Sequence, residues 1–284
     1  MCLAALVAAA SVAVRGDQGV QIRVAARAVR PGEVVLLTVT TAVPAEQLAV
    51  RALGRDVPAF RADATTWQAL VGLDLATAPG SYRVAVAAKS GRAEQHAEVT
   101  LAVVPRVFST RRLQVNPAFV NPPVEAEAQI LRDAADLARV WTLSAPERLW
   151  SGPFVRPVPG HEAGRFGARS VFNGQARAPH GGEDFSGATG TPVLAPNAGR
   201  VVVARSLYFT GNTIVIDHGL GVFSLLAHLS KMEAGEGDTV TAGQEVGLVG
   251  ATGRVTGPHL HWATRVGNAR VDPLSILAVL GPSS

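Results

Sequence analysis

The segment Gly257-Pro258-His259-Leu260-His261-Trp262 constrains the fold of this chain more than any other. Two histidines two apart on a strand project from one face, so both imidazoles can reach a single point in space. Far upstream, His180-Gly181-Gly182-Glu183-Asp184 offers two more donors four residues apart. On a helix they would share a face, but Gly181-Gly182 argues for an extended or turning segment, where they share a face again. Glu183 then points the other way and is expected to be a bystander. Histidine and aspartate supply the nitrogen and oxygen donors that zinc accepts, and a catalytic zinc usually keeps three protein ligands and an open position for water. The fold must therefore bring two distant segments together. Spacing alone leaves open which of His259 and His261 would hold metal. No His-Glu-x-x-His helix occurs in the chain, which excludes the zincin arrangement with its glutamate base.

The rest of the chain reads as short strands. After Asp184 come Val193–Ala195, Gly199–Ala204, Asn212–Asp217, Val222–His228 and Glu245–Val249, punctuated by glycine and with almost no helical stretch. They predict an antiparallel β-domain. Upstream, Val20–Val24, Val34–Val39, Tyr82–Val86 and Glu98–Val103 alternate between turns at Arg30-Pro31-Gly32 and Ala78-Pro79-Gly80-Ser81, which suggests a small immunoglobulin-like β-sandwich. Trp67 is expected in its core and His96 on its surface.

Between the two halves, Asn121-Pro122-Pro123 marks a helix start. Ile130, Ala134, Leu137 and Trp141 form one apolar stripe over about 124–142, a connector helix packed on a neighbour. Residues 150–179, rich in Gly, Pro and Arg, predict loops that wall a groove. Arg165, Arg169 and Arg177 are candidates there for contact with an acidic substrate, and His161 is a surface residue by default. The expected divisions are 1–16 as a signal remnant, 17–106 as the sandwich, 107–149 as a linker with one helix, and 150–284 as the catalytic domain.

At 284 residues the chain exceeds a typical single domain, and 48% hydrophobic against 17% charged residues excludes disorder. A net charge of +4 and a pI near 10.0 come without a Lys/Arg run or an aromatic-basic motif, so nucleic acid is not the expected partner. Dispersed arginines suit an anionic surface such as a cell wall. Cys2 is the only cysteine, which excludes an internal disulfide and a Cys-type zinc site. The apolar run 3–14 is too short to span a membrane and ends in small residues, as in a secretory signal peptide, although no Lys or Arg precedes it and an ordinary first strand also fits. No later run reaches the length of a membrane span, so no integral span is expected.

From Phe166-Gly167-Ala168-Arg169 through Phe172-Asn173-Gly174, His180-Gly181-Gly182-Glu183-Asp184, Gly190-Thr191-Pro192-Val193 and Gly211-Asn212, the chain resembles the lysostaphin-type, LytM-like zinc endopeptidases, metallopeptidase family twenty-three. The likeness continues through Ile216-Asp217-His218-Gly219, Ala227-His228-Leu229 and Gly250-Ala251-Thr252-Gly253 to Gly257–His261, and covers roughly residues 150–277. It implies a mainly all-β chain whose C-terminal antiparallel β LytM-like (duplicated hybrid motif) catalytic domain hydrolyses peptide bonds in bacterial peptidoglycan by metal-activated water.

The same resemblance implies one Zn2+ per chain held by His180, Asp184 and His261, with His228 and His259 in proton transfer. Peptidoglycan is the implied partner, in the periplasm or outside the cell. Tyr208 is a candidate oxyanion donor; Asn212 looks turn-forming, with substrate contact as for Arg169. Leu226 stands where the family often has tyrosine, and Ser224 for a commoner threonine, which unsettles substrate contacts on that strand. His218 is expected to have a structural hydrogen-bonding role. The competing readings are a catalytically inactive LytM-like regulator of a wall amidase and a wall-binding module. The segment Ala234–Gly253 also resembles the hammerhead of biotinyl and lipoyl carrier domains, but it places no lysine at a hairpin tip.

Overall fold

The structure, a computed structural model, describes residues 10–15, 19–114 and 122–282 and divides into two compact units, Met1–Arg106 and Val107–Ser284. In the first unit the strands are β1 (Ala10–Arg15), β2 (Val20–Ala26), β3 (Val34–Thr41), β4 (Gln47–Ala52), β5 (Arg55–Val57), β6 (Ala59–Arg61), β7 (Thr66–Gly72), β8 (Gly80–Ser90) and β9 (Ala93–Val103). They form two antiparallel sheets, in the orders β1-β2-β3-β7-β6 and β5-β4-β8-β9. Alternate residues point inward, as the period of two requires, so Ile22, Val24, Leu37 and Val39 share one core with Val84, Val86, Val99 and Leu101. Trp67 packs against this core only partly buried, with the Arg61 guanidinium 4.6 Å over its indole. His96 is exposed, as expected.

Within the segment expected as a signal remnant, Ala10–Arg15 forms β1. Ala10–Arg15 pairs with β2 throughout, from Ala10 opposite Ala26 to Arg15 opposite Gln21. Its alternation of valine with small residues suits an edge strand as well as a leader. Residues 1–9, with Cys2, lie outside the described residues.

The second unit begins with β10 (Thr110–Leu113), α1 (Val124–Val140), β11 (Glu162–Gly164), β12 (Arg169–Phe172) and β13 (Gln175–Ala176). It continues with β14 (Gly182–Ser186), β15 (Pro192–Leu194), β16 (Gly199–Leu207), β17 (Gly211–Gly219), β18 (Val222–Leu229), β19 (Lys231–Met232), β20 (Thr239–Val240), β21 (Glu245–Leu248), β22 (His259–Val266), β23 (Ala269–Val271) and α2 (Pro273–Leu280). The main sheet runs β11-β14-β22-β18-β17-β16-β20, with β23 beside β22, all antiparallel.

One sheet face buries Phe185, Ile214, Ile216, Leu226, Leu260 and Trp262 against Val193, Val246 and Val249 of the small sheet β15-β21-β19. The opposite face carries Phe223, Leu225 and Ala227, and the predicted connector helix packs on it through Leu137, Val140 and Trp141. Trp141 meets Phe223 edge-on at 5.3 Å. Polar ties fix the same helix at its side: Asp133 accepts from the Tyr208 amide at 2.8 Å, and Asp136 pairs with Arg205 at 2.5 Å.

Three local readings differ from the sequence expectation. The helix starts at Pro123 without a side-chain cap, and Asn121 lies outside the described residues. Part of the expected loop region 150–179 is strand, because β12 pairs in parallel with β10 and antiparallel with β13. Runs of two to four residues are too short to show periodicity. Finally, α2 was not expected, although Asp272 caps it by accepting from the Leu274 amide at 3.0 Å and Pro273 occupies its first turn.

Candidate metal centre

Strand pairing brings the two sequence clusters together. On β14 and β22, Asp184 lies opposite His261 and Ser186 opposite His259. On the other side of β22, Ala227 of β18 lies opposite His261, so simple alternation would turn His228 away. Instead, the register between β17 and β18 shifts here, and His228 adopts a φ of +65°, uncommon for a residue with a side chain. Its amide donates to the Thr210 carbonyl at 2.9 Å, and its ring comes to 4.9 Å from that of His259 and 5.9 Å from that of His261, centroid to centroid.

Three donor atoms converge. His180 Nε2 lies 3.0 Å from Asp184 Oδ1, His261 Nδ1 lies 2.8 Å from the same oxygen, and the two ring nitrogens are 3.0 Å apart. Among the described residues these three form the group able to hold a metal ion, each half-buried. Spacing had left His259 and His261 equivalent; the structure separates them, with His259 Nε2 3.7 Å from Asp184 Oδ1. Two lone-pair nitrogens and a carboxylate oxygen packed this closely repel one another unless a cation or proton sits among them, and a nitrogen/oxygen triad is a metal donor set.

Main-chain carbonyls set the tautomers of the other rings. A carbonyl only accepts, so His180 Nδ1 donates to Arg165 O at 3.1 Å, His228 Nδ1 to Thr252 O at 2.9 Å and His259 Nδ1 to Gly257 O at 2.9 Å. Each neutral ring is left with Nε2 as its acceptor. For His180 this also supplies the outer partner that a metal-bound imidazole needs.

Charge is distributed to match. Burial disfavours the Asp184 carboxylate, but hydrogen bonds from His180 and His261 outweigh it and hold the carboxyl well below its usual range. Burial pushes His228 down to about 4, helped by the charge of His261. Burial also lowers His261 despite its bond to Asp184, whereas for His180 the bond to Asp184 overcomes burial and raises it. Glu183 does point away from the triad, but it is no bystander: it is 3% exposed, accepts from the Phe166 amide at 2.9 Å, and is raised by burial to about 7.

Close packing fixes the backbone around the triad. A Cβ at Gly182 would overlap the Trp262 carbonyl and press on the His261 ring, while one at Gly181 would meet nothing. A Cβ at Gly164 would overlap the Asp184 carboxylate. Beside the triad, a cavity of about 340 Å³ is lined by Gly181, Phe223, Leu225, Ala263 and, from α1, Leu137 and Trp141. Gly181 adjoins His180, and Ala263 shares the strand face of His261, so this space abuts the donor cluster.

The remaining candidates fall in other places. Asn212 is in β17, not a turn; its side chain donates to the Leu229 carbonyl at 3.0 Å and its amide to Thr252 Oγ1 at 2.9 Å, a strand-fastening role. Tyr208 is half-buried with its ring edge-on to Phe209 at 5.0 Å. Arg169 is exposed on β12, its amide donating to Ser109 O at 2.8 Å. Leu226 and Ser224 are fully buried, Leu226 in the core and Ser224 on His218 at 2.9 Å, so neither faces a groove. His218 is buried between Ser224 and the Ala198 carbonyl at 2.8 Å, matching its expected structural role. Sequence reasoning missed Thr252, whose carbonyl orients His228, and the pair His161–Ser186, whose Nδ1 and Oγ lie 3.0 Å apart. A carbonyl's role carries no side-chain signature.

Residues 178–273 match the family model Peptidase family M23. The chain is 48% identical over 85 residues to Peptidoglycan DD-endopeptidase ShyA of Vibrio cholerae, covering 30% of this chain and 20% of that protein. It is 41% identical over 97 residues to DD-carboxypeptidase/endopeptidase Mpg of Neisseria meningitidis, covering 34% of this chain and 22% of that protein. The matches thus span about a fifth of the length of these curated relatives. Among solved structures, a Pseudomonas aeruginosa protein whose crystal structure carries the name peptidase M23 has a TM-score of 0.69 and 29% identity, covering 88% of this chain and 95% of that one. The family match falls on the strands that carry the His–Asp–His cluster, so residues 178–273 form a peptidase family M23 domain.

Proposed function

We propose that this chain is a zinc metalloendopeptidase that hydrolyses peptide bonds of bacterial peptidoglycan, in cross-links or stem peptides, in the periplasm or outside the cell. The observation that carries the reading is the meeting of His180 Nε2, Asp184 Oδ1 and His261 Nδ1 within 3.0 Å, beside two further imidazoles whose Nε2 atoms are acceptors. His180, Asp184 and His261 would hold the ion, and zinc bound there supplies a Lewis acid for the scissile carbonyl and lowers the pKa of water.

The proton work falls to His228 and His259. Burial keeps His228 neutral near pH 7, and its Nδ1 proton is committed to Thr252 O, so Nε2 is free to take a proton from the attacking water. His259, fixed the same way on Gly257 O, offers a second acceptor Nε2 on the same side of the triad, able to take the attacking water's second proton and pass it to the leaving amine. The cavity under α1 offers room for a substrate side chain next to the cleavage point. Tyr208 and Arg169 complete the proposed substrate contacts.

The test is release of soluble peptides from purified sacculi. Activity should vanish with a chelator and return with added Zn2+, and His261→Ala should lose at least about 100-fold in kcat/KM. Undiminished turnover in chelator, or in His261→Ala, would sink the reading.

A further inference from the structure

Glu183 sits one residue before Asp184 on β14, with its side chain on the opposite face of the sheet. It is 3% exposed, and Oε2 accepts from the Phe166 amide at 2.9 Å. The carbonyl joined to that amide belongs to Arg165, and this carbonyl accepts from His180 Nδ1 at 3.1 Å. One peptide group, Arg165–Phe166, is therefore held at its N–H end by Glu183 and holds His180 at its C=O end.

We infer that Glu183 is a positioning residue for the metal centre, acting on His180 through the Arg165–Phe166 peptide. A peptide group is planar and rigid, so anchoring its N–H fixes the direction of its C=O. Donation of a hydrogen bond to Glu183 also polarises the group, strengthening the carbonyl as an acceptor for Nδ1–H. The effect at the far end is a fixed His180 ring, with Nε2 aimed at Asp184 Oδ1 and His261 Nδ1. In many metal sites a carboxylate holds the ligand histidine directly; here a peptide unit stands between them.

The surrounding bonds confine the linkage to that peptide. The Gly167 amide donates to the His180 carbonyl at 2.8 Å and the His180 amide to the Ala168 carbonyl at 2.9 Å, so the backbone of His180 is laced to the 165–168 turn. Neither bond sets the ring. Outside the triad, the ring's hydrogen bond goes to the Arg165 carbonyl, and that carbonyl is fixed from behind by Glu183.

This inference rests on the metal-site reading above, and its test separates the two. Zn2+ affinity of the full chain is measured by competition with a chromophoric chelator for wild type, Glu183→Gln and Glu183→Asp, with the thermal midpoint of each metal-free protein recorded alongside. Glutamine keeps an acceptor at the same reach without the charge; aspartate keeps the charge but is one methylene too short for the Phe166 amide. The expected result is Glu183→Gln within about threefold of wild type and Glu183→Asp weaker by about 10- to 100-fold, the range for partners behind a metal ligand. Equal affinities in all three proteins, equal losses in both variants, or a larger loss for glutamine than for aspartate would each overturn the inference. Failure of wild type itself to bind Zn2+ would instead overturn the metal-site reading.

Discussion

At the scale of single residues, the site depends as much on missing side chains as on present ones. Gly182 and Gly164 press against the strand and carboxylate that carry the donors, and a methyl group at either would displace His261 or Asp184. Gly182→Ala and Gly164→Ala should each weaken Zn2+ binding by at least about tenfold, whereas Gly181→Ala, facing open space, should leave it within about twofold. Chelator competition on the three variants checks this, and loss in Gly181→Ala equal to that in Gly182→Ala would contradict it. That the segments of His180–Asp184 and His259–His261 could meet at one point was legible in the sequence, because donor chemistry and strand alternation are local properties. The difference between His261 and His259 in distance to Asp184 was not legible from spacing, since both lie on one face; ring orientation makes it, and Gly257 O holds His259. Glu183 escaped because alternation says only that it faces away from the triad, and not what it meets there.

At the scale of elements, β17 and β18 form a strand pair that contributes to the core and also carries His228 beside the donor cluster. His218 ties them to the start of β16 through Ser224 and the Ala198 carbonyl, and burial pushes it down to about 4. Above its ordinary pKa of about 6.5, both folded and unfolded chains hold it neutral, so it costs nothing. As pH falls from 6.5 towards 4 the unfolded chain takes up the proton first, and stability drops across that window. Replacing the group by His218→Gln should flatten the slope of unfolding free energy between pH 6.5 and 4 relative to wild type, as read by urea titration; parallel slopes would refute the assignment. The long strands and α1 were legible because their apolar periods run over many residues. The strands within 162–176 were not, because pairing with β10, β14 and each other defines them and no pattern of their own does. The helix α2 left its only signal in Asp272-Pro273, a cap and first-turn proline that a reading for β-structure passed over.

At the scale of the whole molecule, each unit has its own core, one built on Ile22, Leu37 and Val86 and the other on Phe185, Leu226 and Trp262. Only the second contains the donor triad. Calorimetry should resolve two transitions, and Zn2+ at 100 times its Kd should stabilise one of them by about 2.7 kcal/mol while leaving the other unmoved. A shift of both by equal amounts would contradict this division. The first unit ends at Arg106, ahead of the Pro-rich approach to α1.

Three imidazoles at this centre take their orientation from Arg165, Thr252 and Gly257 through backbone oxygen atoms. Substitution removes a side chain but leaves its carbonyl in place, so as far as ring aim is concerned these positions can drift in identity provided the chain path survives. Random mutation there should therefore spoil the centre mainly by bending the main chain, and a comparison by residue type alone would overlook the very groups that steer the histidines.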